Sequence, residues 1–168
     1  MRLFIAVRLA NDMRDTLINI QNEMLEWGIR GNYSKEENLH LTLAFIGEYS
    51  NAEKVLNAIQ TVLFTPFEIS LDGMGCFGDL WWAGMKESVP LAAVVRRLRR
   101  ALAENDIPYD RKRFLPHITL VRKAVGEMKE TRIPSVTMTV NAISLMQSER
   151  GRNGMIYTEI GQLTSTQN

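Results

Sequence analysis

The segment LHLTLAF at Leu39–Phe45 returns as PHITLV at Pro116–Val121, and these two copies hold both histidines of the 168-residue chain. Alternating apolar residues predict a β-strand for each copy, and side chains two positions apart in a strand share a face. Each strand therefore presents an imidazole beside a hydroxyl, with aliphatic residues on its other face. The paired side chains are His40 with Thr42 and His117 with Thr119.

A single histidine in an apolar strand is more often a hydrogen-bonded core residue than a catalyst, so one copy alone would indicate little. From ordinary residue usage, a histidine is followed by Leu or Ile, then Thr, then Leu only about once in a thousand times. Both histidines have this context, which indicates an internal duplication. They are 77 residues apart, about half the chain, and this spacing predicts two like lobes that face each other across a cleft.

Two imidazoles are suited to concerted acid and base catalysis. Their ordinary pKa of about 6.5 allows one ring to accept a proton while the other donates one. Two neighbouring threonine hydroxyls can donate hydrogen bonds to the oxygens of a phosphate during an in-line displacement. The motifs are too alike for the residues themselves to indicate which imidazole is the acid.

The paired motifs resemble the HxTx pair of the two-histidine (2H) phosphoesterase superfamily, and in particular its RNA 2′,3′-cyclic phosphodiesterase, or 2′-5′ RNA ligase-like, branch. The resemblance extends along nearly the whole chain, so we expect residues 1–168 to form a single domain of two similar lobes. The segments that carry it are LFIAVRL at 3–9, ENLHLTLAFIGE at 37–48, RFLPHITLVR at 113–122 and LMQSERGRNGMIYTEI at 145–160.

The resemblance implies hydrolysis of an RNA terminal 2′,3′-cyclic phosphate to a 2′-phosphate, with His117 as the proton acceptor and His40 as the proton donor. Thr42, Thr119 and Arg122 would hold the phosphate. Strict strand alternation puts Arg122 on the face opposite His117, so its role is implied by the family alone. ATP-independent 2′-5′ RNA ligation is the reverse reaction, and the chain has no GxxxxGK[ST] loop for ATP.

Other functions remain open at this stage. The same chemistry can act on 2′-5′-linked oligonucleotides or on an ADP-ribose cyclic phosphate, and the fold can serve as a non-catalytic RNA-binding module. A metallohydrolase is a poor fit, because two histidines lack a carboxylate or cysteine cluster at ligand spacing. We therefore expect no metal and no cofactor, and a monomer that acts on RNA with 2′,3′-cyclic phosphate ends, tRNA fragments among them.

The numbers of basic and acidic residues are nearly equal. Twenty Lys and Arg stand against 19 Asp and Glu, so RNA binding would need a local basic patch. The candidate patch is the set Arg96, Arg97, Arg99, Arg100, Arg111, Lys112 and Arg113, for which a plain solvated face is the simpler interpretation. The single cysteine, Cys76, is interpreted as a small buried residue. Without an apolar run of about 20 residues or a signal-peptide pattern, we expect a cytoplasmic protein.

The periodicities predict the order β, α, β, α, β, β, α, β, β, β, an α+β fold of antiparallel sheets facing a central cleft with helices packed outside. Residues 31–38 are expected as a loop, 73–76 as a hairpin turn, 136–148 as one strand and 163–168 as a frayed tail. The first strand should bury one face, Leu3, Ile5, Val7 and Leu9. Ser50 with Glu53 predicts the start of the second helix, which Pro66 ends, and Ser88 precedes the third. Trp81 and Trp82 should face opposite sides of one strand, one in the core and one beside the cleft.

Overall fold

Within residues 1–166, which the computed structural model describes, the protein forms nine β-strands and three α-helices. A single 3₁₀ turn at Glu36–Asn38 precedes the first motif strand. In chain order the elements are β1 Arg2–Arg8, α1 Asn11–Glu26, β2 Arg30–Tyr33, β3 His40–Glu48, α2 Ala52–Ile59, β4 Phe67–Phe77, β5 Leu80–Met85, α3 Val89–Glu104, β6 His117–Val125, β7 Thr137–Val140, β8 Ala142–Gly151 and β9 Gly154–Thr164.

The strands make two antiparallel sheets, one for each histidine motif. The four-stranded sheet has the order β3-β1-β8-β9, and the five-stranded sheet has the order β2-β6-β5-β4-β7. The motif strands β3 and β6 thus belong to different sheets, yet they lie in contact with each other. This arrangement confirms the predicted α+β fold class of two antiparallel sheets with helices packed on them.

The first strand is buried on both faces, whereas the sequence predicted one. Strand β1 lies between β3 and β8, so its odd-numbered residues enter the main core while Phe4 and Ala6 are covered on the other side. There they join Met146 and Tyr157 in a small apolar cluster that is separate from the main core. The second face of this sheet therefore carries a small packed cluster of its own.

Of the predicted helix caps, the one at Ser88 is confirmed and the one at Ser50 is wrong. Ser88 caps α3 as predicted, since its hydroxyl accepts the Leu91 N–H at 3.2 Å. Gly28 follows the end of helix α1 with φ +82°, a conformation that suits glycine. The predicted cap of α2 is wrong by one residue: Asn51, not Ser50, accepts the Lys54 N–H at 3.0 Å. Helix α2 also ends at Ile59, well before Pro66.

Three predictions about the strands are wrong. The expected loop 31–38 includes β2, which pairs with β6. Strand β4 continues through the expected 73–76 turn to Phe77, and the chain reverses at Gly78, whose φ of +59° suits glycine. The expected strand 136–148 is interrupted at Asn141: β7 pairs with β4 in one sheet and β8 with β1 in the other. Cys76 is exposed, not buried, because it lies near the end of this longer β4.

The expected frayed tail is ordered as far as the structure describes it. Leu163 belongs to β9 and is buried, and the Thr166 N–H donates to the Phe64 carbonyl at 2.8 Å. The final residues 167–168 of that prediction lie outside the described part of the chain. In residues 1–166, no helix is long and apolar enough to cross a membrane.

Candidate active site

The two motif strands carry the same irregularity at the same place. In the β1–β3 ladder, Ile5 stands opposite Ala44 and Ala6 opposite Thr42, which leaves Leu43 as an extra residue. In the β5–β6 ladder, the extra residue in the same position of the motif is Leu120. Each is a β-bulge three residues after the histidine. The burial patterns agree, because both strands place two consecutive buried residues there.

The bulge moves the side chains that directly follow it to the other face of the strand. Arg122, five residues after His117, is therefore exposed on the same face as His117 and Thr119. Strict alternation alone would put Arg122 on the opposite face, and the bulge is the physical reason that it does not lie there. Phe45 occupies the corresponding position of the first motif, so the duplicated strands differ at this point by an aromatic ring and a guanidinium.

The His40 ring is held at both nitrogens. Its Nδ1 lies 2.7 Å from the main-chain carbonyl of Asn38, and its Nε2 lies 2.8 Å from the Thr42 hydroxyl. A carbonyl can only accept, so Nδ1 carries the proton and the neutral ring accepts the Thr42 hydroxyl at Nε2. Phe4 packs on the ring with centroids 4.9 Å apart, and Tyr157 meets it edge-on at 5.2 Å.

Burial lowers the pKa of His40, because a charged ring loses hydration in this enclosed position. The carbonyl of Asn38 acts in the opposite direction, and the positive charges of Arg122 and His117 lower the pKa of His40 further. Arg122 and His117 therefore both act electrostatically on His40. The neutral form of His40 is accordingly favoured.

The His117 ring is anchored in the same way at Nδ1 but has different neighbours. Its Nδ1–H donates to the Leu115 carbonyl at 2.6 Å, two residues earlier, as His40 does with Asn38. Phe77 meets the ring edge-on at 5.2 Å, and Trp82 lies 6.1 Å away between ring centroids. Both motifs therefore fix the imidazole through a main-chain carbonyl two residues earlier, and Nε2 of His40 also bonds the Thr42 hydroxyl.

Trp82 is the tryptophan beside the site. It stands opposite Thr119 in the β5–β6 ladder, so the two side chains share a face, while Trp81 packs against the main core. This confirms the prediction that one tryptophan packs in the core and the other lies beside the site. A Cβ on Gly75 would lie 2.3 Å from the Trp82 ring, which explains why glycine stands under it.

A second polar cluster lies on the histidine face of the four-stranded sheet and was not predicted. Glu159 accepts hydrogen bonds from Ser144 at 2.5 Å and Gln162 at 2.9 Å, and Arg8 lies 3.8 Å from it. Burial acts to raise the pKa of Glu159, but the two hydrogen bonds and the Arg8 charge outweigh it and lower that pKa. Arg8 also stands directly opposite His40 in the β1–β3 ladder.

The rings around the imidazoles were mostly missed by sequence reasoning. Phe4, Phe77 and Tyr157 come from three strands far apart in the chain, and none belongs to a repeated motif. The available signal was the alternation of β1 and β9, which places Phe4 and Tyr157 on the face opposite the core. Among residues 1–166, no group of three or more His, Cys, Asp or Glu side chains is arranged to hold a metal ion.

The candidate basic patch is partly committed to structural contacts. The Arg97 guanidinium donates to the Leu63 carbonyl at 3.1 Å, and that of Arg99 donates to the Lys112 carbonyl at 2.8 Å. Arg111 and its two basic neighbours in the α3–β6 connection are exposed. The patch therefore divides into a helical part and a part that leads directly into the second motif strand.

Comparison with known proteins identifies relatives along the whole chain. Residues 25–152 match the family model described as the 2′-5′ RNA ligase superfamily. The RNA 2′,3′-cyclic phosphodiesterase of Escherichia coli K12 is 30% identical, with 99% of this chain and 97% of the relative covered. The protein of the same name from Archaeoglobus fulgidus is 32% identical, over 73% of this chain and 72% of the relative.

Solved structures of similar fold agree with these relatives. The crystal structure of E. coli LigT complexed with 3′-AMP has a TM-score of 0.86 and 27% sequence identity, and covers 99% of this chain and 98% of that one.

Proposed function

Because the chain belongs to the 2′-5′ RNA ligase superfamily, we propose that it is an RNA 2′,3′-cyclic phosphodiesterase, a hydrolase that opens terminal cyclic phosphates by two-histidine catalysis. The family match confirms the resemblance drawn from the two motifs. The observation that supports the proposal is the pair of equally bulged motif strands, which lie in contact and each carry an imidazole, with Arg122 on the His117 face. The relatives' names supply the substrate class.

In the proposed reaction, His117 accepts a proton from water at Nε2 as the water oxygen bonds to phosphorus. The bond from phosphorus to O3′ breaks, and His40 donates a proton from Nε2 to O3′, leaving a 2′-phosphate. Hydroxyls of Thr42 and Thr119 and the Arg122 guanidinium bind the non-bridging oxygens. The anchoring of each Nδ1 on a main-chain carbonyl supports this division, because it directs Nε2 to the reacting atoms.

In this scheme His40 takes up its proton from solvent when the substrate binds. The free protein favours neutral His40, since burial and the Arg122 charge lower its pKa. A bound phosphate brings negative charge beside Arg122 and offsets that charge, so binding favours the protonated ring that the acid step needs. The same reasoning allows the reverse reaction, in which a 5′-hydroxyl replaces water and a 2′-5′ bond forms without ATP. The name of the superfamily favours this second activity.

We further propose one domain of two similar lobes over residues 1–168, acting as a monomer in the cytoplasm without a metal or cofactor. The matching bulge positions in β3 and β6 support the two-lobe description. Trp82 is proposed to stack on the terminal base, because it faces the site side by side with Thr119.

The test uses a short RNA ending in a 2′,3′-cyclic phosphate, incubated with the protein in excess EDTA, with the 2′- and 3′-phosphate products resolved. We expect a 2′-phosphate, and a loss of turnover of at least about a hundredfold in His40→Ala and in His117→Ala. A 3′-phosphate would reverse the assigned roles of the imidazoles. RNA bound without turnover would favour a binding module, and turnover of a 2′-5′-linked oligonucleotide or an ADP-ribose cyclic phosphate instead would change the substrate.

A further inference from the structure

Two aromatic rings outside the histidine site are each paired with arginine. The Arg2 guanidinium lies over the Phe45 ring, 5.3 Å from its centroid. Tyr109 is flanked by two guanidinium groups, with Arg99 at 5.7 Å and Arg111 at 5.8 Å from its centroid. Phe45 is 37% exposed, and both Arg2 and Arg111 are exposed.

A main-chain hydrogen bond joins the two aromatic–arginine pairs. The Asp110 N–H donates to the Phe45 carbonyl at 2.8 Å, which fastens the α3–β6 connection to β3. The Asp110 carboxylate accepts the Lys112 main-chain N–H at 3.0 Å. Arg99 in turn donates to the Lys112 carbonyl at 2.8 Å, so the connection is fastened at two points, to β3 and to α3. We call this surface the aromatic–arginine strip: Arg2, Phe45, Arg99, Tyr109, Arg111, Lys112 and Arg113.

The strip adjoins both motif strands. Phe45 is on the same face of β3 as His40, because of the bulge between them. At the other motif, Arg113 is four residues before His117, so its Cα lies within about 14 Å of the His117 Cα whatever path the chain takes. A strand of nucleic acid that places its last phosphate between the histidines can therefore reach the strip with the nucleotides that precede it.

Aromatic rings interleaved with cations are the pattern that binds single-stranded nucleic acid without reading its sequence, since bases stack on the rings and phosphates meet the charges. Resting on the proposed function, we propose that the aromatic–arginine strip binds the single-stranded RNA that precedes the terminal cyclic phosphate. The protein then prefers an oligonucleotide over a cyclic mononucleotide, and the preference resides outside the residues that do the chemistry.

The experiment compares a nucleoside 2′,3′-cyclic phosphate with a ten-nucleotide RNA that ends in the same nucleotide. The test variant is the triple substitution Arg2→Ala, Arg111→Ala, Arg113→Ala. The control is Arg96→Ala, Lys129→Ala, Arg132→Ala, which removes the same charge from exposed positions outside the strip. We expect both triple variants to turn over the mononucleotide like the wild type, and only the strip variant to show a lower kcat/KM on the RNA.

Salt dependence gives the size of the effect. Each lost phosphate contact to a single strand removes about 0.7 from the slope of log affinity against log salt. For three contacts, the wild type should lose roughly 20-fold more affinity for the RNA than the strip variant does between 50 and 200 mM salt. Equal slopes, an equal loss in the control variant, or a wild type that does not prefer the RNA would each overturn the proposal.

Failure of the strip is distinguishable from failure of the proposed function. Turnover of the mononucleotide tests the chemistry alone, because that substrate has no preceding phosphates. If neither substrate reacts, fluorescence anisotropy with a labelled ten-nucleotide RNA ending in a 3′-phosphate still measures how tightly the strip binds RNA. Weaker binding by the strip variant than by the control variant supports the strip, and identical binding by the two refutes it.

Discussion

Replacing Arg122 by glutamine should slow turnover and raise the pKa of His40 in one substitution. Glutamine keeps most of the side-chain length on the exposed face that the β6 bulge selects, but it removes the charge. The Arg122 charge is one of the causes that lower the pKa of His40, after burial. Without it the imidazole is easier to protonate in the free protein, so the pKa of His40 should move upward.

The expected loss of activity follows from the strength of a charge-assisted hydrogen bond. Such a bond between a guanidinium and a phosphate oxygen contributes about 1.5–3 kcal/mol, and a phosphate held in the cleft would lose it in the variant. That corresponds to a kcat/KM lower by about 10- to 150-fold. The loss should be partly offset at neutral pH, because a larger fraction of His40 is then protonated and ready to act as the acid.

The assay is an NMR titration of the imidazole signals, which is simple here because the chain has only two histidines. Lys123→Gln is the matched control, since it removes the adjacent exposed charge on the same strand and is not among the causes of the His40 shift. An Arg122→Gln variant with the pKa of His40 unchanged or lower, and with full activity on the cyclic phosphate, would refute the placement of Arg122 at the site.

Four further outcomes are expected. The rate should show a bell-shaped pH dependence, because one imidazole must be neutral and the other protonated; a monotonic profile for the chemical step would contradict the mechanism. Since burial lowers the pKa of His40, the neutral ring stabilises the fold fully above about pH 6.5, and this stabilisation is lost as the pH falls. In His40→Asn, the free energy of unfolding should therefore depend less on pH in that range. Ser88→Ala should lower the free energy of unfolding in urea by about 1 kcal/mol, and Ser50→Ala should leave it unchanged, since only the first caps a helix. Gly75→Ala should lower the free energy of unfolding by about 1–3 kcal/mol and shift the NMR signals of the His117 ring, because the new methyl overlaps Trp82. Unchanged signals would contradict that packing.

Much of the site was accessible from the sequence because the motif is short and repeated. Within one strand, the alternation of side chains is fixed by local geometry, so the pairing of His40 with Thr42 follows from spacing alone. The Ser88 cap is equally local, since its partner is three residues away. The side of the strand on which Arg122 lies is different, because the bulge at Leu120 exists only in the register between β5 and β6.

The sequence by itself determined the two strands with their imidazole and hydroxyl pairs, the α+β class, and most helix and strand positions, because all of these depend on residues that are neighbours in the chain. The tertiary structure decided which strands meet, where the ladders are bulged and what surrounds each ring. It divided the predicted strand 136–148 between two sheets at Asn141 and brought Tyr157 onto His40 from more than a hundred residues away. Those outcomes depend on long-range strand pairing, whose register is set by the packing of both partners and leaves no signal in either segment alone.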